Sequence, residues 1–378
     1  MVSEAAKAEG NKTLKERRKK MKQKKLIGMV VVVGFLALSI GLAHAQQKPT
    51  KPVTLTFNWE GAYGRANCLV WPFRPGGRFE QLVTTYTDGM LKLDIKEKLY
   101  GIMESAFAIG DGRINMGTQS IPAATGTYPL LDFGGIPGFF SDPPHGAYQW
   151  AEAFLDRDMM AIWDKFAKPA GFKILGSSIS AANNALWGNK PIKTLEDFKG
   201  VKTRASGRTQ TTTLKTLGAS PITLSMAEVE DALLRGTVDA IATSKNYGAE
   251  RGLIDLTKYT SVWPITPVFA QFIAINAKTW DNLHPFLKEG LLKAGAQVTR
   301  EMTTVVEQME VSYTLWIRSS KNQLIIPEEA EVKKGMNLMR PVVKEWLDTA
   351  GPYGKEVLRI GLKYAKGPST SVIAEMAK

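Results

Sequence analysis

One cysteine, Cys68, serves a chain of 378 residues, so no intrachain disulfide can form and the small disulfide-stapled secreted domains are excluded. Histidine is nearly as scarce. Of three residues, His44 falls in an amino-terminal apolar stretch, and only His145 and His284 lie beyond it. Neither stands in a metal-ligand spacing, and HExxH and CxxC are missing, which removes the common zinc and thiolate sites. No GxSxG elbow, Walker A sequence or GxGxxG turn occurs. Cys68 is a nucleophile in principle, yet a lone cysteine more often packs as a small apolar residue. A chain this poor in reactive groups reads as a binder with no cofactor and no metal, rather than as an enzyme. Solenoid repeats are lacking too, while 44% hydrophobic content supports a sizeable core and the length suggests about two domains.

The charge is present but misplaced for a nucleic-acid binder. The balance of 49 Lys and Arg against 36 Asp and Glu gives +13. Residues 1–25 hold ten of the basic and three of the acidic side chains, a net of +7, and residues 26–45 hold none. The remainder is only +6, which disfavours nucleic acid as a partner. A basic start, the apolar run 26–43 and the small-residue pattern Ala43-His44-Ala45 describe a secretory signal peptide, with cleavage expected after Ala45 and the product in the periplasm. The run is also long enough for an uncleaved anchor, but the A-x-A end favours cleavage. Translation from Met21 would give a more compact signal peptide.

The mature part alternates strand and helix patterns. Residues 53–59 and 91–97 alternate apolar and polar side chains and read as strands. Residues 79–87 and 100–109 read as helices, and 113–118 as a third strand, so the run is βαβαβ. The stretch 125–144, rich in Gly, Pro and aromatics, reads as a packed loop, and 145–167 as one amphipathic helix. A second α/β series opens at Phe172, with strands over 185–188, 201–205, 221–224 and 238–243 separated by helices, and a buried strand over 268–275. No proline occurs between Pro285 and Pro327, and a helix over 286–318 would run about 45 Å; Gly290 and Gly295 weaken its start. The expected architecture is α/β in two lobes: 46–175 with part of 262–285, and 176–261 with part of 319–350. The long helix spans both, and 351–378 forms a carboxyl-terminal helical segment. Ligands of such sheets sit at strand carboxyl ends or between lobes.

One segment stands out for recognition. In DFKGVKTRASG, residues 197–207, Arg204 lies near the end of a strand where a helix is about to begin. Its guanidinium can meet a carboxylate with two parallel hydrogen bonds, a geometry lysine does not reproduce. On spacing alone, an exposed arginine at a strand edge is the plainer reading.

That segment, followed by LKTLGASPITLSMAEVEDALLRGTVDAIATS, resembles the solute-binding proteins of tripartite ATP-independent periplasmic (TRAP) transporters, the DctP family. The earlier AIGDGRINMGTQSIPAATGTYPLLDFGGIPGFF is similar to the family's first-domain stretch, and the likeness covers residues 53–304 in order. It implies a periplasmic-binding-protein-like fold of two lobes, closure around an organic acid, Arg204 as the carboxylate ligand and Lys190 near a second basic position. It also implies the membrane subunits of a TRAP permease as partner. The chain departs from the pattern at Glu230 (usually tyrosine), Ala240 (glycine), Thr243 (asparagine) and Met226 (a pocket aromatic). Thr243 and Met226 would leave room for a bulkier or more apolar acid, on which Trp187 would stack unless it is a core residue. Lobe I offers Asn58, Trp59 and the Thr118-Gln119-Ser120 turn at its strand ends, and Tyr63 and Arg65 from a divergent loop. A sensory adaptor presenting its ligand to a membrane signalling protein needs the same cleft; an enzyme on this scaffold is the remaining alternative.

Overall fold

The computed structural model describes residues 48–60, 71–141, 145–182, 184–224 and 228–378. Strand β1 (Val53–Trp59) sends Leu55, Phe57 and Trp59, spaced two apart, into one core. Helix α1 (Arg78–Tyr86) returns the chain to β2 (Leu91–Glu97), parallel to β1 with Val53 opposite Leu91. Helix α2 (Ser105–Gly110), shorter than the periodicity suggests, leads to β3 (Met116–Ser120), parallel to β1 on its other side.

The expected helix over 145–167 is two helices, α3 (Gly146–Leu155) and α4 (Arg157–Ala167). The break falls at Asp156, which is extended and caps the second helix, its Oδ1 accepting from the amides of Asp158 at 2.8 Å and Met159 at 3.4 Å. Strand β4 (Phe172–Ala182) follows.

The second lobe holds β5 (Asn184–Gly188), β6 (Lys202–Ala205), α5 (Arg208–Thr216), β7 (Ser220–Thr223), α6 (Val229–Leu234), β8 (Ala240–Ser244), α7 (Lys245–Glu250) and β9 (Tyr259–Val262). The chain then returns to lobe I as β10 (Val268–Asn276), antiparallel between β3 and β4, giving the order β2-β1-β3-β10-β4. The boundary between lobes therefore falls after Ala182 and not at residue 176. The central, doubly buried β10 needs a ladder partner on each side, and β4 supplies one along its length.

Helix α8 (Pro285–Ser319) is 35 residues long, about 52 Å at 1.5 Å per residue. His284 caps it, Nδ1 accepting from the Phe286 amide at 3.2 Å. After it, β11 (Gln323–Ile325) joins the second sheet, of order β11-β9-β5-β8-β6-β7. Helices α9 (Glu329–Asn337), α10 (Arg340–Ala350), α11 (Gly354–Gly361) and α12 (Thr370–Met376) end the chain. Among the described residues no helix is long and apolar enough to cross a membrane.

The central strands of each sheet are buried on both faces, and their side chains alternate between cores as the pleat requires. On β10, Phe272 and Ala274 join a core with Phe133, Trp150 and Trp163, while Ile273 and Ile275 join Phe57 and Phe79. On β5, Leu186 faces Trp263 and Phe198, and Trp187 faces Ile241 and Leu253.

Helix α8 is fastened to both lobes. In its first half Gly295 lies directly on β4: a Cβ there would stand 2.2 Å from the Leu175 carbonyl oxygen, and one on Gly176 would stand 2.5 Å from that of Gly295. The glycines that weaken the helix pattern are thus what lets backbone approach backbone. Thr299 completes the seam, its hydroxyl donating to Ser177 O at 2.8 Å and accepting from Ser177 N at 2.9 Å. In the second half, Glu310 pairs with Lys245 at 2.8 Å, both side chains nearly inaccessible, and Ile317 enters the lobe II core.

Candidate functional site

Lobe II presents the carboxyl ends of β6 and β8 to lobe I, and a cleft of about 580 Å³ opens there. Its walls are Ile102, Met103, Ser120, Pro122, Ala123 and Thr125 from lobe I, and Ser180, Ala181 and Phe269 from the strands β4 and β10. Lobe II supplies Arg204, Ser206, Gly207, Thr223, Leu224, Thr243, Ser244, Tyr247 and Arg251. The lining thus carries two positive side chains and no carboxylate among the described residues. Glu60, just past β1, is buried, which pushes its carboxyl up to about 8. Burial therefore favours its neutral form.

Arg204 sits between β7 and β8, opposite Ile222 and Ile241, and is 6% exposed. Its Nε donates to Leu224 O at 2.9 Å and its Nη1 to Ala242 O at 3.3 Å, so backbone carbonyls fix the plane of the guanidinium. Five N–H groups are available on this side chain, and no described acid forms an ion pair with it. Burial pulls its pKa down to about 10, still charged at neutral pH. A buried, uncompensated cation is costly, and an anion in the cleft would remove much of that cost.

The other sequence candidates divide. Thr243 lines the cleft from the end of β8. Trp187 does not: it is fully buried beneath α7, so close to Gly248 that a Cβ there would stand 2.4 Å from its Cε2. It is a core tryptophan and cannot stack on a ligand. Lys190 is also displaced. Strand β5 runs antiparallel to β8, with Gly188 opposite Ala240, so Lys190 emerges at the start of β8, beside Asp239 in a separate surface depression. Arg204, opposite Ile241, directs its guanidinium the other way, to the carbonyls of Ala242 and Leu224 toward the carboxyl ends of the strands. Asn58 and Gln119 are buried and committed to backbone. Asn58 Nδ2 donates to Tyr100 O at 3.0 Å and Oδ1 accepts from Tyr100 N at 3.1 Å; Gln119 Oε1 accepts from Ala106 N at 2.9 Å, and Nε2 donates to Ile102 O at 2.5 Å. They hold in place the segment that brings Ile102 and Met103 to the cleft. Met226, Tyr63 and Arg65 lie outside the described residues, as does Cys68.

Residues the sequence reading missed are Tyr247 and Arg251. Tyr247 lies three residues past the end of β8 and Arg251 four residues further on, and this one-turn spacing just after a strand end is the signal that points to them.

Two α/β lobes, strands passing between them and a cleft built on a held guanidinium define the class of two-lobed solute receptors. Residues 77–349 match the profile of DctP, the bacterial extracellular solute-binding proteins of family 7, and the chain belongs to that family, the binding proteins of TRAP transporters. A curated relative, the C4-dicarboxylate-binding periplasmic protein DctP of Rhodobacter capsulatus, is 25% identical over 287 residues, 71% of this chain and 78% of the relative. Among solved structures, the Bordetella pertussis receptor DctP7, which binds pyroglutamic acid, superposes with a TM-score of 0.69 at 19% identity, covering 82% of this chain and 99% of that one. A Desulfovibrio desulfuricans TRAP binding protein with bound sn-glycerol-3-phosphate reaches 0.71 at 16% identity, covering 82% and 97%. Members of this family are receptors, not enzymes.

Proposed function

We propose that the protein is exported to the periplasm, loses its leader after Ala45, and captures an organic acid that it delivers to the membrane subunits of a TRAP permease. The observation that carries this reading is Arg204, buried at the cleft wall, held by two carbonyls and paired with no acid among the described residues. A carboxylate docked on its remaining N–H groups forms charge-assisted hydrogen bonds, each contributing about 1.5–3 kcal/mol when shielded from water. Two of them supply a large part of the roughly −8 kcal/mol that micromolar affinity requires. The relatives lend support: one is named for C4-dicarboxylates and one binds pyroglutamic acid, both carboxylic acids. Thr243 and Ser206 from lobe II, with Ser120 and Thr125 from lobe I, offer hydroxyls on facing walls. A ligand bridging them makes its full set of contacts only when the lobes approach, which is how binding favours the closed form.

The test begins with mass spectrometry of the small molecule released from denatured protein, followed by calorimetry with that acid. Arg204→Ala is expected to lose at least about a hundredfold in affinity, and Arg204→Lys, which keeps charge but not the planar fork, most of that. Unaltered affinity in Arg204→Ala, with the melting temperature retained, would overturn the reading.

A further inference from the structure

We propose that Tyr247 and Arg251 form a second anion contact in the cleft, so that the ligand carries two anionic groups, one on Arg204 and the other on Arg251. The proposal rests on the Arg204 reading and goes beyond it by naming residues that recognise the far end of the ligand. Strand β8 ends at Ser244, whose hydroxyl accepts from the Tyr247 amide at 3.4 Å and starts α7. One turn places Tyr247 at the cleft, and the next places Arg251 beside it. The Arg251 guanidinium lies 5.2 Å from the centre of the Tyr247 ring and donates from Nη2 to its hydroxyl at 3.1 Å. Tyr247 and Arg204 line the same cleft.

The charge balance favours a dianion. The neighbouring acid on the helix, Glu250, is hydrogen-bonded to Tyr313 and turned to α8, and no described carboxylate pairs with Arg251. A single carboxylate on Arg204 leaves the second positive charge of the lining unanswered. A dicarboxylate or a phosphorylated hydroxy acid answers both. Arg251 is exposed in the open cleft, so its contribution is screened there and grows as water is excluded.

The test uses a panel of C4–C6 dicarboxylates and phosphorylated hydroxy acids, each paired with its monoamide or dephosphorylated counterpart, titrated calorimetrically into the intact protein. Wild type is expected to prefer the two-charge member of a pair. Arg251→Gln should reduce that preference about tenfold while leaving affinity for the one-charge member within about twofold. Tyr247→Phe should reduce it less. If Arg251→Gln weakens both members equally or neither, or if no two-charge probe binds, the proposal is overturned. The Arg204 reading fails separately, when Arg204→Ala retains both members of the pair. A melting temperature unchanged in Arg251→Gln excludes loss of fold as the cause.

Discussion

Replacing Gly295 with alanine sets two known effects against each other on the long helix. By helix propensity alone the change stabilises, because alanine is favoured over glycine in a helix interior by about 0.8–1 kcal/mol. The packing argues otherwise. The new Cβ would stand 2.2 Å from the Leu175 carbonyl oxygen and 2.8 Å from its carbon, and both are backbone atoms that cannot swing aside. Real Cβ atoms essentially never approach within 3.0 Å, so helix and strand must part by 0.8 Å or more. Overpacking of this kind costs about 1–3 kcal/mol. The two hydrogen bonds between Thr299 and Ser177, one turn further on, lengthen with it, at about 1 kcal/mol each if lost. The net expectation is a loss of about 2 kcal/mol, or about 0.7 M in the urea midpoint at a slope of about 3 kcal/mol/M. Equilibrium urea unfolding followed by circular dichroism reads it directly. A variant as stable as the parent, or more so, would show that helix and strand are not held at backbone contact.

Gly248→Ala presses a methyl group into the Trp187 indole at 2.4 Å and is expected to cost about 1–3 kcal/mol, visible as a lower melting temperature with altered tryptophan fluorescence; unchanged melting would refute the packing. Glu310→Gln leaves the Lys245 ammonium buried without its counter-charge and should cost about 3–5 kcal/mol, whereas the pair Lys245→Met with Glu310→Leu should recover most of it. A denaturation cycle that finds the single and double changes equally harmful would contradict this. Asp132, buried while its Oδ2 accepts from the Thr209 hydroxyl at 2.7 Å, has its carboxyl pushed up to about 7 by burial, from 3.8. Between these values the folded state keeps a proton that the unfolded chain has released, so stability falls as pH rises through that window, by up to about 4 kcal/mol. Asp132→Asn should make the fall in melting temperature between pH 4 and about 7 shallower, with Glu60 keeping its own share of the slope, and an unchanged slope would refute the assignment.

How much of this was legible in the chain can be traced residue by residue. Val53–Trp59 and Leu91–Glu97 alternate cleanly because one face of each strand meets a core and the other does not, so their bounds could be read directly. Arg204 was legible as a strand-end arginine, but its isolation from acids was not, since that depends on three strands meeting. Trp187 illustrates the limit. In a central strand both faces are apolar, and periodicity cannot say which face looks toward a cleft. Lys190 failed for a related reason: the antiparallel sense of β5 against β8 sends its end away from Arg204, and sense is a property of the assembled sheet. Asp156 could have been read as a cap, being followed by a helical pattern, but continuous apolar spacing on either side concealed the break.

The placement of the last helices has a consequence for how the molecule comes into being. Val343, Trp346, Val357, Leu358 and Ile373 share one apolar cluster with Phe133, Phe139 and Trp150, and Gly367 N and Ser369 N bond back to the carbonyls of Phe139 and Gly138. The half of the protein that is synthesised first is therefore finished last. Its aromatic interior stays open to water until the final forty or so residues arrive, and contacts so distant along the chain form slowly. Until those helices dock, Phe133, Phe139 and Trp150 lack part of the cluster that covers them, whereas the core built on Phe57 and Phe79 has no buried member beyond Met302.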